Sequence, residues 1–157
     1  MNKQRLLTLA TELEKPELPV PFDMENWYSR PCTLEEELDE NPNVTPLEAA
    51  HNCGTSACAV GLACLMPEFQ KQGLTTLGGQ PVYNGAKHWA AVGLFFDINM
   101  HMAHHLFDPE DYEGEADIYD SSDYEKITPQ MVAARIREVV AADDRDTDSL
   151  ASELSDL

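Results

Sequence analysis

His51-Asn52-Cys53-Gly54-Thr55-Ser56-Ala57-Cys58-Ala59-Val60-Gly61-Leu62-Ala63-Cys64-Leu65-Met66-Pro67 is the run on which the fold turns. Gly54, Thr55 and Ser56 are turn and N-cap residues, and a hydroxyl at Thr55 or Ser56 accepts from the first free N–H groups of a helix. Residues 57–66 carry no charge and most of their side chains are small. A helix of Ala, Gly, Cys, Val and Leu has no polar face, and such a helix is buried on all sides. Ala59, Gly61 and Ala63 let neighbouring backbones come close. Pro67 ends the helix, because proline disfavours the helical region at the residue before it. The reading is a buried central helix, which specifies a fold and names no reaction.

Outside this run the chain is acidic. Among 157 residues, 29 Asp and Glu face 10 Lys and Arg, a formal net charge of -19. A chain of this sign repels phosphate, which argues against direct binding of nucleic acid or an anionic membrane and favours basic protein surfaces as partners. No apolar run reaches the roughly 20 residues that span a bilayer. The first residues, Met1 to Leu7, lack the apolar core of a signal peptide. With no export signal, Cys32, Cys53, Cys58 and Cys64 read as reduced cytoplasmic thiols. The length suits one domain with a real core.

Leu6, Leu9, Ala10 and Leu13 fall at helical spacing, which predicts an amphipathic helix over residues 2–15, ended by Pro16, Pro19 and Pro21. Phe22, Met24 and Trp27 follow as an apolar anchor. A short helix is predicted over 34–38, and a second, capped by Thr45 with Pro46 and Glu48, runs to His51. After Pro67 one more helical turn closes at Gly73. Residues 75–83, with Gly78, Gly79 and Pro81, read as a loop or a short hairpin. Helices are predicted over 85–96, over 100–107 with Asn99 as its cap, and over 129–142 behind Thr128-Pro129. On the last, Val132, Ile136, Val139 and Val140 form the apolar face, with Arg135, Arg137 and Glu138 facing outward. Residues 143–157 read as a polar, frayed tail.

The pattern Cys53-Gly54-Thr55-x-Ala57-Cys58-x-x-Gly61, preceded by Phe22-x-Met24-x-x-Trp27, resembles small uncharacterised proteins of phages and bacteria. Phe95-Phe96-Asp97-Ile98, Leu106-Phe107-Asp108-Pro109 and the Thr128-Pro129 helix extend the similarity across residues 22–142. The resemblance implies a compact helical domain of phage or mobile-element origin. It implies no catalytic residue, and the acidic insert over 108–125 departs from the pattern.

His51, Cys53, Cys58 and Cys64 could be read as zinc ligands. The spacing, Cys-x4-Cys-x5-Cys, is wider than the tight pairs of structural zinc sites, and buried thiols are the simpler account. Cys58, near a helix N-terminus, could be a nucleophile if one of His88, His101, His104 and His105 served as its base. The local sequence resembles papain-type enzymes, but the spacing of its two cysteines differs. His101, His104 and His105 lie at i, i+3 and i+4 spacing, suited either to a metal pair or to partial burial beside Met100 and Phe107. No flanking Glu completes the His-Glu-x-x-His arrangement. Asp144-x-Asp146-x-Asp148 fails as a calcium loop, since Ser149 stands at the glycine position and Ser155 at the final ligand.

Two acidic clusters carry the remaining signal: Glu35, Glu36, Glu37, Asp39 and Glu40, then Asp111, Glu113, Glu115, Asp117, Asp120 and Asp123 within 108–125. The latter stretch holds nine acidic residues, no basic one, and Tyr112, Tyr119 and Tyr124. They are either a solvated, solubilising face or an array that imitates DNA phosphates and occupies a basic groove. The expected protein is all-α, one domain over 1–142 of five to seven short helices around the buried segment, with room for one short β-hairpin, and an acidic tail over 143–157. The expected function is that of a non-enzymatic, cytoplasmic, acidic binding protein without a cofactor, a DNA-mimicking inhibitor of a host restriction or CRISPR nuclease. The alternative is a metal- or thiol-dependent enzyme using Cys53, Cys58 and the histidines.

Overall fold

The computed structural model describes residues 1–25, 28–29, 56–77, 79–115 and 117–155. The helices predicted over 34–38 and 45–51, the anchor Trp27, and Cys32, His51 and Cys53 lie outside the described residues, as does the cluster of Glu35, Glu36, Glu37, Asp39 and Glu40.

Helix α1 (Lys3–Leu13) starts at Asn2, whose side chain accepts from Arg5 N at 3.0 Å. Leu6, Leu9, Ala10 and Leu13 are fully buried. Burying each leucine is worth about 1.5–3 kcal/mol. Their face packs along the C-terminal helix α6 (Pro129–Ser155). The connector after α1 bends at residues 15–17 and 19–20 before it reaches Phe22, which bridges Ala57 in parallel. Ala57 N donates to Pro21 O at 3.0 Å, and Asp23 N donates to Ala57 O at 2.9 Å.

These bonds move the start of the central helix. Ser56 and Ala57 form strand β2, antiparallel to β1 (Tyr28–Ser29), so the chain is still extended where a cap was expected. Cys58 is the N-cap instead, its Sγ accepting from Gly61 N at 3.4 Å. Helix α2 (Ala59–Leu65) is buried at every residue, and α3 (Pro67–Lys71) follows at once, with Pro67 in its first turn.

The all-α expectation is corrected by a three-stranded antiparallel sheet, β3 (Thr75–Leu77), β4 (Gln80–Tyr83) and β5 (Ala86–Lys87), in the order β3-β4-β5. The turns dictate it. Leu77 pairs with Gln80, and before Gln80 the chain turns at Gly79, with φ +78°. Tyr83 pairs with Ala86 across Asn84 (φ 51°) and Gly85 (φ 83°). Two positive φ values at Asn-Gly define the turn whose twist matches antiparallel strands. Residues 85–87 therefore end the sheet, and helix α4 (His88–Phe96) begins after them.

Helix α4 packs on β4 and β5. Its end is sharp: Asp97 is left-handed, and Ile98 N donates to Gly93 O at 3.0 Å. A Cβ on Gly93 would sit 3.0 Å from Ile98 O, so any other residue there would press on the turn's backbone. Asn99 then caps α5 (Met100–Phe107), accepting from Met102 N at 2.8 Å. Two 3-10 turns, Pro109–Tyr112 and Ser121–Lys126, carry the acidic segment across to α6. The core is aromatic at its centre, where Phe95 meets Phe69 and Phe96 edge-on at 4.9 and 5.0 Å.

Helix α6 does not stop at residue 142. It runs on to Ser155 because the sequence beyond 142 holds neither Gly nor Pro, and Lys3 pairs with Asp143 and Asp144 across the gap to α1. Asp144, Asp146 and Asp148 thus lie on a helix and form no loop.

Candidate functional site

The acidic segment is a folded module on the end of α6. Tyr112 is fully buried, its hydroxyl donating to Leu106 O at 2.7 Å. Ile118, Tyr124 and Ile127 are buried beside it. Arg135, expected to face outward, is only 7% exposed and holds the module from below. Its guanidinium lies over the Tyr112 ring at 3.7 Å, and Nη1 donates to His105 O at 2.8 Å and Asp111 O at 2.9 Å. Nη2 pairs with the Glu115 carboxylate. A planar cation with five donors suits this place, since it stacks on a ring and serves three oxygens at once.

This arrangement sorts the carboxylates. Glu113 accepts from the Tyr124 hydroxyl at 3.0 Å, and burial together with that carboxylate pushes the Tyr124 hydroxyl up to about 12. Glu115 belongs to Arg135. Asp120 caps the second 3-10 turn, accepting from Ser122 N at 2.9 Å. Asp123 accepts from Tyr119 N and from Lys126 Nζ, both at 2.9 Å, and Lys126 holds its carboxyl below the usual range. Glu110, Asp111, Asp117 and Glu125 are exposed. Of the tyrosines expected among the acids, two are core residues, and Tyr119, 73% exposed, stands out in solvent.

A second feature was not anticipated. The N-terminus of α2, the first turn of α4 and the end of α5 border an open hollow of about 230 Å³. Among the described residues, Met24, Glu25, Cys58, Trp89, Phe107, Asp108 and Pro109 line it. His104 stacks on Trp89, with ring centroids 4.0 Å apart, and its Nδ1 lies 2.7 Å from Asp108 Oδ2. Asp108 Oδ1 accepts from Glu110 N at 3.0 Å. The i, i+4 spacing of His104 and Asp108 was in the sequence, but the partner of Trp89 was not, since it depends on how α4 meets α5. A larger hollow, about 350 Å³, lies between the end of α1 and α3, lined by Leu62, Leu65 and Met66 and by Glu12, Lys15, Glu68 and Lys71, whose charges balance.

Among the described residues the cysteines and histidines form no common cluster. Cys58 is 3% exposed, and burial pushes its thiol up to about 11. Burial raises the Cys64 thiol further. A thiol of that kind is a poor nucleophile at neutral pH. His88 and His101 are exposed; His105 is half-buried, and burial, reinforced by Arg135, lowers its affinity for a proton. Among the described residues no three His, Cys, Asp or Glu side chains come together as a metal site. Nor is any helix among them long and apolar enough to cross a membrane.

No family model, no curated protein and no solved structure matches the chain.

Proposed function

We propose that the chain is a non-enzymatic acidic binding protein that docks its carboxylate face on a basic groove of a nucleic-acid-binding protein, as a mimic of DNA. The observation that carries this reading is the anchoring of the 108–126 module. Buried Tyr112, Ile118, Tyr124 and Arg135 hold its backbone, so Glu110, Asp111, Asp117 and Glu125 project from a fixed platform. Fixed charges bind a complementary surface without the entropy loss of ordering a floppy acidic loop. The net charge of -19 gives the long-range attraction. In its specific form the partner is a host restriction or CRISPR nuclease, with the protein encoded by a phage and acting in the host cytoplasm; that form rests on the resemblance drawn from the Cys-Gly-Thr run alone. Glu35, Glu36, Glu37, Asp39 and Glu40, outside the described residues, are a second candidate contact for the same partner. Support for a thiol- or metal-dependent enzyme is thinner, because the Cys58 thiol is buried and raised.

Immobilised protein, offered bacterial lysate at low salt, should retain basic nucleic-acid-binding proteins that a DNA duplex elutes. Retention should fall steeply by 0.5 M salt, where exposed charges are screened. Glu110→Lys, Asp117→Lys and Glu125→Lys together should abolish it. Retention unchanged by this triple variant and by salt sinks the proposal.

A further inference from the structure

Helix α6 opens on a cap with one oxidisable half. Thr128 stands just before the helix, Pro129 begins it, and Met131 is its third residue. The Thr128 hydroxyl accepts from Met131 N at 3.2 Å, and in return Thr128 N donates to Met131 Sδ at 3.5 Å. This is the reciprocal pattern of a capping box, in which Glu or Gln ordinarily supplies the returning acceptor. Ile127 and Val132 stand at the flanking positions where an apolar pair fixes the entry of the chain, and both are buried. The joint between the acidic module and α6 is therefore well formed except at one atom. Its returning acceptor is a thioether, which accepts hydrogen bonds only weakly.

Oxidation would replace that atom. A peroxide delivers one oxygen to a lone pair of the sulfur: the S–O bond forms, the O–O bond breaks, and the second oxygen leaves as water. The sulfur is oxidised by two electrons and the peroxide is reduced by two. The product is a sulfoxide, a polar group that reductases return to the thioether. In a core a sulfoxide disrupts packing. Met131 is only half-buried, and its bond to Thr128 lies at the surface, so peroxide reaches the sulfur and the new oxygen stays out of the core. The unbranched side chain can draw back by the added atom and present the oxygen to Thr128 N. Met24 and Met66, 4% and 6% exposed, are shielded. Met100, 50% exposed, is open to the same oxidant, at a helix start that Asn99 already caps.

We infer that Met131 is a reversible oxidation site, and that its sulfoxide completes the cap of α6 and tightens the joint on which the acidic module sits. The inference stands on this local geometry and does not depend on what the module binds.

The protein is treated with hydrogen peroxide and its methionines are followed by peptide mass spectrometry. Met100 and Met131 should gain oxygen well before Met24 and Met66, and a methionine sulfoxide reductase should restore Met131. Urea unfolding then compares the parent with Met131→Leu, apolar but without an acceptor, before and after peroxide. The other methionines are common to both chains, so their oxidation cancels in the ratio of the two unfolding constants. Peroxide should move that ratio by about threefold or more in favour of the parent. Met131→Gln, which supplies the usual acceptor, should be more stable than Met131→Leu with no oxidant present. Oxidation of Met131 no faster than that of Met24 and Met66 overturns the inference. So does a ratio that stays put or moves against the parent, or a glutamine variant no more stable than the leucine one.

Discussion

Arg135 lies over the ring of Tyr112, 3.7 Å from guanidinium carbon to ring centroid, and both are buried. One cation thereby joins α6 to the acidic module, through a ring, two backbone carbonyls and the Glu115 carboxylate. Arg135→Met keeps most of the volume and strands the carbonyls of His105 and Asp111. Hydrogen bonds from a charged donor are worth about 1.5–3 kcal/mol each. The expected loss is about 2–4 kcal/mol in urea unfolding, and Arg135→Lys should recover only part, since an ammonium cannot reproduce the fork. Unchanged stability in Arg135→Met would show that the module stands without its clip.

Reversal of charge should separate neighbours that look alike in sequence. Glu115→Lys faces Arg135 with a like charge and should destabilise by about 1–3 kcal/mol. Asp117→Lys, at an exposed residue two positions on, should stay within about 0.5 kcal/mol. Thermal melts of the two single variants test this. It follows that Glu115 is a poor site for probing partner binding, whereas Asp117 is a clean one.

Cys58 acts as a cap through sulfur. Cys58→Ser replaces it with a better capping atom and should keep the cap. Cys58→Ala removes the cap and should be the less stable of the two by about 0.5–2 kcal/mol. The native thiol should resist iodoacetamide at neutral pH and react once the chain is unfolded. Rapid native labelling, or a serine variant weaker than alanine, would contradict the capping role.

Gly61 sits inside α2, where every residue is buried. Gly61→Leu overpacks that interface and should cost about 1–3 kcal/mol or more. A melt within a degree of the parent would show that α2 has room the packing denies.

The acid limb of stability should carry a signature of Glu14. Arg137 bonds it at 2.6 and 2.9 Å and holds its carboxyl below the ordinary value. A depressed carboxylate contributes stability above its unfolded pKa, and that contribution fades as pH falls below about 4.5 through the folded value. Protonation also relieves repulsion in a chain of charge -19, so the raw melt mixes two opposing effects. The difference between parent and Glu14→Gln isolates the pair. It should be positive at pH 7 and shrink toward pH 3. Lys3, raised by Asp144 and Asp143, has the opposite sign, with its contribution present at neutral pH and lost as pH rises through its folded value.

Much of the helical frame was legible. Leu6, Leu9, Ala10 and Leu13 repeat at the helical period and line one buried face; Asn99 and Pro67 mark real ends. These signals are local, so they survive without knowledge of neighbours. The short hairpin allowed over 75–83 is the pair β3 and β4, but a three-stranded sheet was not legible, because its strands are two to four residues long, too short to show alternation, and Pro81 lies in the middle one. Asn84-Gly85 is nevertheless a hairpin signal, masked in the sequence by the apolar helical pattern that follows it. Arg135 was misplaced for a different reason. A charge on a helix reads as solvent-facing unless its partners are known, and His105, Asp111, Tyr112 and Glu115 come from 20 to 30 residues away. The hollow beside Trp89 was illegible in principle, since it exists only where three helix ends converge.

The pairing of the first helix with the last has a consequence for synthesis on the ribosome. Leu6, Leu9 and Leu13 are made well before α6, which packs on their helix. Glu14 and Arg137 are 123 residues apart. Until α6 is made, α1 has only α2 and α4 to meet, and an isolated helix of 11 residues is marginal in water. The nascent chain must carry a half-covered apolar face until α6 emerges. Closure waits for that helix, and in the interval holding chaperones have an opportunity to bind.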